Sequence, residues 1–93
     1  MSVGLLKLYI EIPGCKSLKE KRSRLKPLLA RLHREFNVSA AELDFNDNWN
    51  RALIGCAALS NDPNHTHQQL QQVAEWVEQN WPDVQVFDQQ ISL

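Results

Sequence analysis

The stretch "VGLLKLYIEIPGCKSLKEKR", residues 3–22, places a strand pattern directly before a helix pattern. Every second residue from Leu6 to Ile12 is aliphatic, and this period of two predicts a strand with one face in a core. The segment "PGCK" that follows is a turn signal. Ser17 followed by Glu20 is a capping-box pattern, which marks the start of a helix. The stretch therefore predicts a strand, a tight turn and a helix N-terminus in that order.

The predicted helix covers residues 17–36, because one apolar stripe recurs there at helical spacing: Leu18, Leu25, Leu28, Leu29, Leu32 and Phe36. Pro27 lies inside this pattern. A proline there removes the hydrogen bond to the Ser23 carbonyl and crowds the preceding turn. We therefore predict a kink or a loosened turn near residues 23–27.

The rest of the chain contains three more strands and one more helix. Strands are predicted over residues 38–45, over 49–60, which is apolar on both faces at its centre, and over 84–92. In the first of these three the alternation changes phase between Ala40 and Ala41, which indicates a bulge or a late start of the strand. Residues 46–48 form a turn, and Asp62 followed by Pro63 begins the second helix. The order predicts one α+β domain, residues 1–93, of the split βαβ type. It has a four-stranded antiparallel sheet with the first and third strands central and two helices on one face.

Length and composition set limits on location and class. Ninety-three residues support one core, and 43% hydrophobic with 23% charged residues is a globular composition. The longest apolar runs are too short to span a bilayer, and the first strand carries Lys7 and Glu11 with no cleavage site after it. We expect a cytoplasmic protein whose two cysteines, Cys15 and Cys56, are reduced.

One face of the predicted sheet has no helix to cover it. The residues assigned to this face include Leu5, Tyr9, Leu53 and Leu59. Such an apolar patch is large for a monomer, so a second copy of the chain is the expected cover and a homodimer is the expected assembly.

Positive charge is concentrated at one place in a chain of formal net charge −1. Residues 17–34 hold seven of its ten Lys and Arg residues, and Lys16 is an eighth. Cations in the first turn of a helix cost about 0.3–1 kcal/mol each when exposed, so their presence there suggests a use. The candidate anion or nucleic-acid site comprises Lys16, Ser17, Lys19, Lys21, Arg22, Arg24, Lys26, Arg31 and Arg34.

Several functions fit this cluster. A non-enzymatic protein could contact RNA or the ribosome through it. A homodimeric regulatory module could instead hold a small phosphorylated metabolite at the helix N-terminus. The cluster could also be a solvated face or a docking surface for an acidic protein. The third strand, "RALIGCAAL", has no aromatic residue on which to stack bases, and Tyr9 is the only candidate on the first strand, so RNA contact would be mainly to phosphates.

Enzymatic and metal-binding readings are weaker. His65 and His67 diverge by about 200° on a helix, and Cys15 has no histidine near it in sequence. Glu42 and Asp44 alternate on one strand, where pairing with Arg22 or Arg51 is simpler than glycosidase chemistry. We predict no catalytic residues, no metal site and no cofactor.

Three segments together resemble the small bacterial YlxP-like family, a domain of unknown function. They are "PG..SLKEKR" at residues 13–22, "FNVS..E.D" at 36–44 and "W.RA..G.A..SND" at 49–62. The resemblance extends over essentially the whole chain, and Pro27 is one departure from it. It implies a ferredoxin-like fold and genes often found beside those for ribosome maturation and translation initiation. It implies no known reaction or ligand.

Overall fold

The computed structural model describes residues 1–45 and 47–93. The strands are β1 (Ser2–Glu11), β2 (Ser39–Asp44), β3 (Arg51–Ser60) and β4 (Gln85–Ser92), and the helices are α1 (Leu18–Glu35) and α2 (Pro63–Asn80). The strands form one antiparallel sheet in the order β2-β3-β1-β4. The predicted α+β class and ferredoxin-like arrangement are confirmed, with β1 and β3 in the centre.

The sheet is built around an uninterrupted β1–β3 ladder, in which Ser2 pairs with Ser60 and Glu11 with Arg51. Leu6, Leu8 and Ile10 on β1 are fully buried, and the residues between them are half-buried. The alternation predicted from the sequence is therefore confirmed. Because the period of a strand is two, it sends one face of β1 to the helices and the other away from them.

Both helices pack on the same face of the sheet. α1 contributes Leu25, Leu28 and Leu32, and α2 contributes Leu70, Val73 and Val77 to one continuous core with the inner residues of β1 and β3. Full burial of each such aliphatic side chain stabilises the fold by roughly 1.5–3 kcal/mol. The opposite face of the sheet has no described element over it.

Both predicted helix starts are confirmed. The Ser17 side chain accepts a hydrogen bond from the Glu20 N–H at 3.0 Å, and the Asp62 side chain accepts one from Asn64 N–H at 3.0 Å. Pro63 is the first residue of α2, where a proline costs no hydrogen bond. α1 stays helical on both sides of Pro27. The kink near residues 23–27 remains a prediction.

The bulge in β2 lies two residues later than the sequence pattern suggests. Pairing with β3 changes register between Glu42 and Asp44, not at Ala40 and Ala41. The later position keeps Glu42 in register on the side of the sheet that carries α1, where it has a partner. A second irregularity shifts β4 against β1 between Tyr9 and Ile10.

Of the turn predicted at 46–48, residue 46 lies outside the described residues. None of the described helices has the length and apolar character needed to cross a membrane.

Candidate nucleic-acid interface

The predicted basic residues divide into two sets by burial. Three of them, Lys21, Arg24 and Arg31, are buried or half-buried and bound to other parts of the domain. Five are exposed, and we call them the basic flank: Lys16, Lys19, Arg22, Lys26 and Arg34.

Lys21 lies inside the domain, with only 1% of its surface exposed. Its Nζ lies 2.7 Å from Glu42 Oε2 and donates a hydrogen bond to the Phe45 carbonyl at 2.6 Å. Lys21 therefore cannot belong to a surface site, and its inclusion in the candidate set was wrong. The sequence held a signal of this, because position 21 lies four residues before Leu25 and seven before Leu28, which is the spacing of the buried stripe.

Arg24 joins two turns that are far apart in sequence. Its Nε and Nη2 both donate to the Asp83 carboxylate at 2.9 Å, and its Nη1 donates to the Pro13 carbonyl at 2.7 Å. The hydrogen bond to Asp83 raises the pKa of the Arg24 guanidinium further above its ordinary value. Such bidentate pairs are specific as well as strong. Arg24 is therefore occupied within the domain and is also removed from the candidate site.

Arg31 is held against an aromatic cluster. Its guanidinium carbon lies 5.4 Å from the centre of the Trp76 ring, and its Nη2 donates to Glu35 at 3.2 Å. Trp76 packs edge-on against Phe36, with 5.9 Å between ring centres. Arg31 thus connects α1 to α2, and we leave it out of the basic flank.

The five residues of the basic flank remain open to solvent. Lys19, Arg22 and Lys26 follow one another at intervals of three and four residues, so they share one side of α1, and Arg34 lies two turns further along. Among residues 1–45 and 47–93, no carboxylate lies within 4.0 Å of any of the five. Ser17, which was also predicted for this site, already uses its hydroxyl to cap the helix.

The sheet face that lies away from the helices, here called the outer face, holds the four residues predicted for a dimer interface. Leu5 and Tyr9 are half-buried, Leu53 is buried and Leu59 is 63% exposed. Sequence reasoning missed three further exposed apolar side chains, namely Val3 and Leu43 beside this face and Phe87 against Tyr9. At the β4 irregularity beside Tyr9, the centres of the Phe87 and Tyr9 rings lie 6.3 Å apart. No local sequence pattern predicts this contact.

A shallow apolar groove of about 190 Å³ lies on the outer face, lined mainly by Leu5, Ala41, Leu43 and Ala57. Gly55 lies at this groove. A Cβ at position 55 would overlap the Leu43 side chain, so glycine is required for Leu43 to lie across β3. The groove is thus a built feature of the sheet.

The two cysteines are free, buried thiols. Burial raises the pKa of the Cys56 thiol to about 12, which keeps it protonated and unreactive near neutral pH. Cys15 borders an open cleft of about 600 Å³, whose other described lining residues are Asp44, Phe45, Asp47, Asn48, Trp49 and Asn50. The described lining thus offers Cys15 no histidine base, and the described chain has no cluster of three or more His, Cys, Asp or Glu residues placed to hold a metal ion.

The geometry defines a small ferredoxin-like α+β domain with a basic helix on one side and an uncovered apolar sheet on the other. Residues 3–91 match the family described as "Protein of unknown function (DUF503)", and the chain belongs to that family. It is similar to "Uncharacterized protein YlxP" of Bacillus subtilis (strain 168), with 39% identity over 83 residues that cover 89% of each chain. The resemblance to the YlxP-like family is confirmed.

Proposed function

We propose that this protein is a non-enzymatic RNA-binding protein, a homodimer that contacts RNA or the ribosome through the phosphates. One observation carries the RNA proposal: the basic flank is exposed and has no carboxylate partner in the described part of the chain. The described cations that the domain uses for its own structure, such as Lys21 and Arg24, are bound to acids. Within the described residues, the flank consists of the unpaired cations on α1 and on the turn before it, and Lys7 on β1 is a further unpaired cation outside it.

The flank is costly for the helix that carries it. Lys19 lies in the first turn of α1, where the partial positive charge of the helix disfavours a cation by about 0.3–1 kcal/mol. Long-range attraction to the acids of α2 offsets little of this cost, because the Debye length is about 8 Å at physiological salt. A polyanionic partner would offset the repulsion between this cation and the helix dipole, and the relief would add to the free energy of binding.

The dimensions suit a nucleic-acid backbone. Lys19 and Arg34 are fifteen residues apart on one helix, which is roughly 22 Å at about 1.5 Å per residue. A row of cations of this length can neutralise several successive phosphates. Binding of this kind releases counterions and weakens steeply with salt.

The outer face is less suited to RNA. The residues that alternate outward along the central strand β3 between Leu53 and Leu59 are aliphatic or glycine, so β3 has no ring there on which a base could stack. The rings that the outer face does carry, Tyr9 and Phe87, lie against each other with 6.3 Å between ring centres, and the Arg51 guanidinium lies 5.2 Å from the centre of the Phe87 ring. RNA contact through phosphates on the α1 side therefore agrees better with the chemistry of the two faces.

The test is the salt dependence of binding to a single-stranded 20-nucleotide RNA, measured by fluorescence anisotropy. Each phosphate contact removed should lower the slope of log K against log salt by about 0.7, so Lys19→Ala with Lys26→Ala should lower it by about 1.4. Arg51→Ala is the matched control, because Arg51 is exposed but starts β3 away from α1 and pairs with Glu11. Its slope should equal that of the wild type.

Three results would overturn the proposal. They are no salt-dependent RNA binding by the wild type, an unchanged slope in the double variant, or an equal change in the Arg51 control. Thermal stabilisation by a phosphorylated metabolite that is lost in Lys16→Ala or Lys19→Ala but kept in Lys26→Ala would support the metabolite-binding module in its place. Co-sedimentation of the wild type, but not the double variant, with purified ribosomes would identify the ribosome as a source of the RNA.

A further inference from the structure

We infer that the outer face of the sheet binds a second copy of this chain and that the resulting homodimer is bivalent, with its two basic flanks directed away from each other. The pairing is argued from the outer face alone. The bivalency for RNA also rests on the proposed function.

The outer face leaves a large apolar surface exposed to solvent. Val3 and Leu59 pair directly across the β1–β3 ladder and are 54% and 63% exposed. Leu43 and Phe87 extend the apolar surface toward the two edge strands and are about half exposed. The apolar patch lies mainly over β2, β3 and β1, because the outward residues of β4 are polar. They are Asp88, Gln90 and Ser92. Large exposed apolar patches are unusual on monomers and mark interaction sites.

The size of the outer face can be compared with that of a standard protein interface. Four strands at about 4.8 Å spacing, with lengths of six to ten residues at about 3.3 Å each, give a face of roughly 500 Å² in projection. Side-chain relief raises the accessible area above the projected area. The face therefore approaches the roughly 800 Å² per partner of a standard protein interface.

The relief of the face is suited to self-association. The groove beside Gly55 is concave and apolar, whereas Leu59 and Val3 project from the same face. A two-fold axis brings the same surface of both copies together, so a groove and a projection on one chain can each find its counterpart on the other. The groove could hold roughly six waters at about 30 Å³ each, and its apolar lining gives such waters few hydrogen bonds.

The charges favour a second copy over a nucleic acid or an acidic partner. Arg51 and Glu11 neutralise each other at 3.4 Å on paired positions of β3 and β1. Of the described cations on the outward positions of β1 and β3, Lys7 is the one without a carboxylate within 4.0 Å. On β4, Asp88 pairs with the outward residue Tyr9 and adds one acid, so Lys7 and Asp88 together leave the outward positions of β1, β3 and β4 without net charge. Such a face matches a second copy of itself.

The layer order then decides where RNA can bind. Stacking two sheets by their outer faces, about 10 Å apart, places both helix layers on the outside of a four-layer dimer. With about 10 Å for each layer spacing and a helix radius of about 5 Å, the two basic flanks lie on opposite sides, roughly 40 Å apart. One dimer would therefore hold two separate RNA segments.

The test for pairing is sedimentation equilibrium at micromolar concentration with two matched variants. Leu59→Glu adds a charge to the outer face, and Leu93→Glu adds one at a leucine of equal exposure, 62%, that lies near Leu70 and Thr66 on the helix side. Leu59→Glu should sediment as a monomer, and Leu93→Glu and the wild type as dimers. Val3→Glu should repeat the effect of Leu59→Glu, with circular dichroism verifying the fold of each variant. A monomeric wild type, or a Leu59→Glu dimer, would overturn the pairing.

The test for bivalency is a bridging assay. RNA immobilised on beads, with protein added, should capture a second, fluorescently labelled RNA. Capture by Leu59→Glu should fall roughly tenfold or more, while its anisotropy-measured affinity for one short RNA stays that of the wild type. Equal capture by the monomeric variant would overturn bivalency and leave RNA binding standing. Absence of RNA binding in every variant would instead overturn the proposed function and the bivalency together, and sedimentation would still decide the pairing.

Discussion

The two helices solve the same local problem in different ways. Each has eighteen residues, an N-cap side chain and a buried polar residue at its fourth position, Lys21 in α1 and Thr66 in α2. The Thr66 hydroxyl is satisfied nearby, by Ser60 Oγ at 2.6 Å and the Asp62 carbonyl at 3.2 Å. Lys21 reaches Glu42 and the Phe45 carbonyl, 24 residues away in sequence.

This difference shows that a buried polar group can be satisfied either by residues near it in sequence or by residues far from it. The first turn of α2 closes on the residues just before it, Ser60 at the end of β3 and Asp62, so the buried Thr66 hydroxyl needs no partner from a distant segment. The first turn of α1 is tied to β2 and to the residue that follows it, Phe45, which has a positive φ of 63°. Lys21 thus couples the position of α1 to an edge strand and fixes a residue in a backbone conformation that is uncommon without glycine.

The helices also differ in charge. α1 carries seven Lys and Arg residues, whereas α2 carries none and has Glu75 and Glu78. Because α2 packs on the same sheet without any cation, the fold does not require a basic helix. The exposed cations of α1 are those for which we propose a polyanionic partner.

The largest expected effect comes from Lys21→Met, which keeps the aliphatic stem and removes the ammonium. Glu42 would remain partly buried without its cation and the Phe45 carbonyl without its donor, so we expect a loss of about 3 kcal/mol in the free energy of unfolding, measured with urea. Thr66→Val should lose only about 1 kcal/mol, because it breaks neutral hydrogen bonds. Equal losses in the two variants would contradict the contrast drawn between the helices.

The one proline in each helix provides the second comparison. Pro27 lies in the interior of α1, where proline is about 3 kcal/mol less favourable than alanine, whereas Pro63 is the first residue of α2. Pro27→Ala should therefore raise the melting temperature, with a gain of up to about 3 kcal/mol, and Pro63→Ala should change it little. A fall in melting temperature with Pro27→Ala would show that α1 is shaped around its proline.

The smallest expected effect is at Lys19. If its charge opposes the helix dipole, Lys19→Ala should stabilise the domain by about 0.3–1 kcal/mol at low ionic strength, and the gain should shrink as salt is added. Lys26→Ala, in the middle of α1, should show no comparable gain. A destabilised Lys19→Ala variant would mean that Lys19 stabilises the fold. Its position in the first turn would then be no evidence for a binding partner.

Much of this protein was determined by short-range patterns in its sequence. The alternation from Leu6 to Ile12, the caps at Ser17 and Asp62 and the stripe of leucines in α1 each depend on residues within a few positions of one another. Strand and helix periods are local properties of the backbone, so these patterns can be recognised without knowing which segments each element packs against. They were enough to predict the element order, the central strands and the family resemblance.

Only the tertiary structure decided which charged and apolar side chains remain available. Lys21, Lys19 and Arg24 lie within five residues of one another, yet the first is buried against β2, the second is free and the third joins Asp83, 59 residues away. The register of β4 brought Phe87 to Tyr9, and Gly55 allowed Leu43 to lie across the sheet. Such pairings depend on which distant segments the sheet order brings together. A sequence pattern that repeats every two or four residues carries no information about which distant segments become neighbours in space.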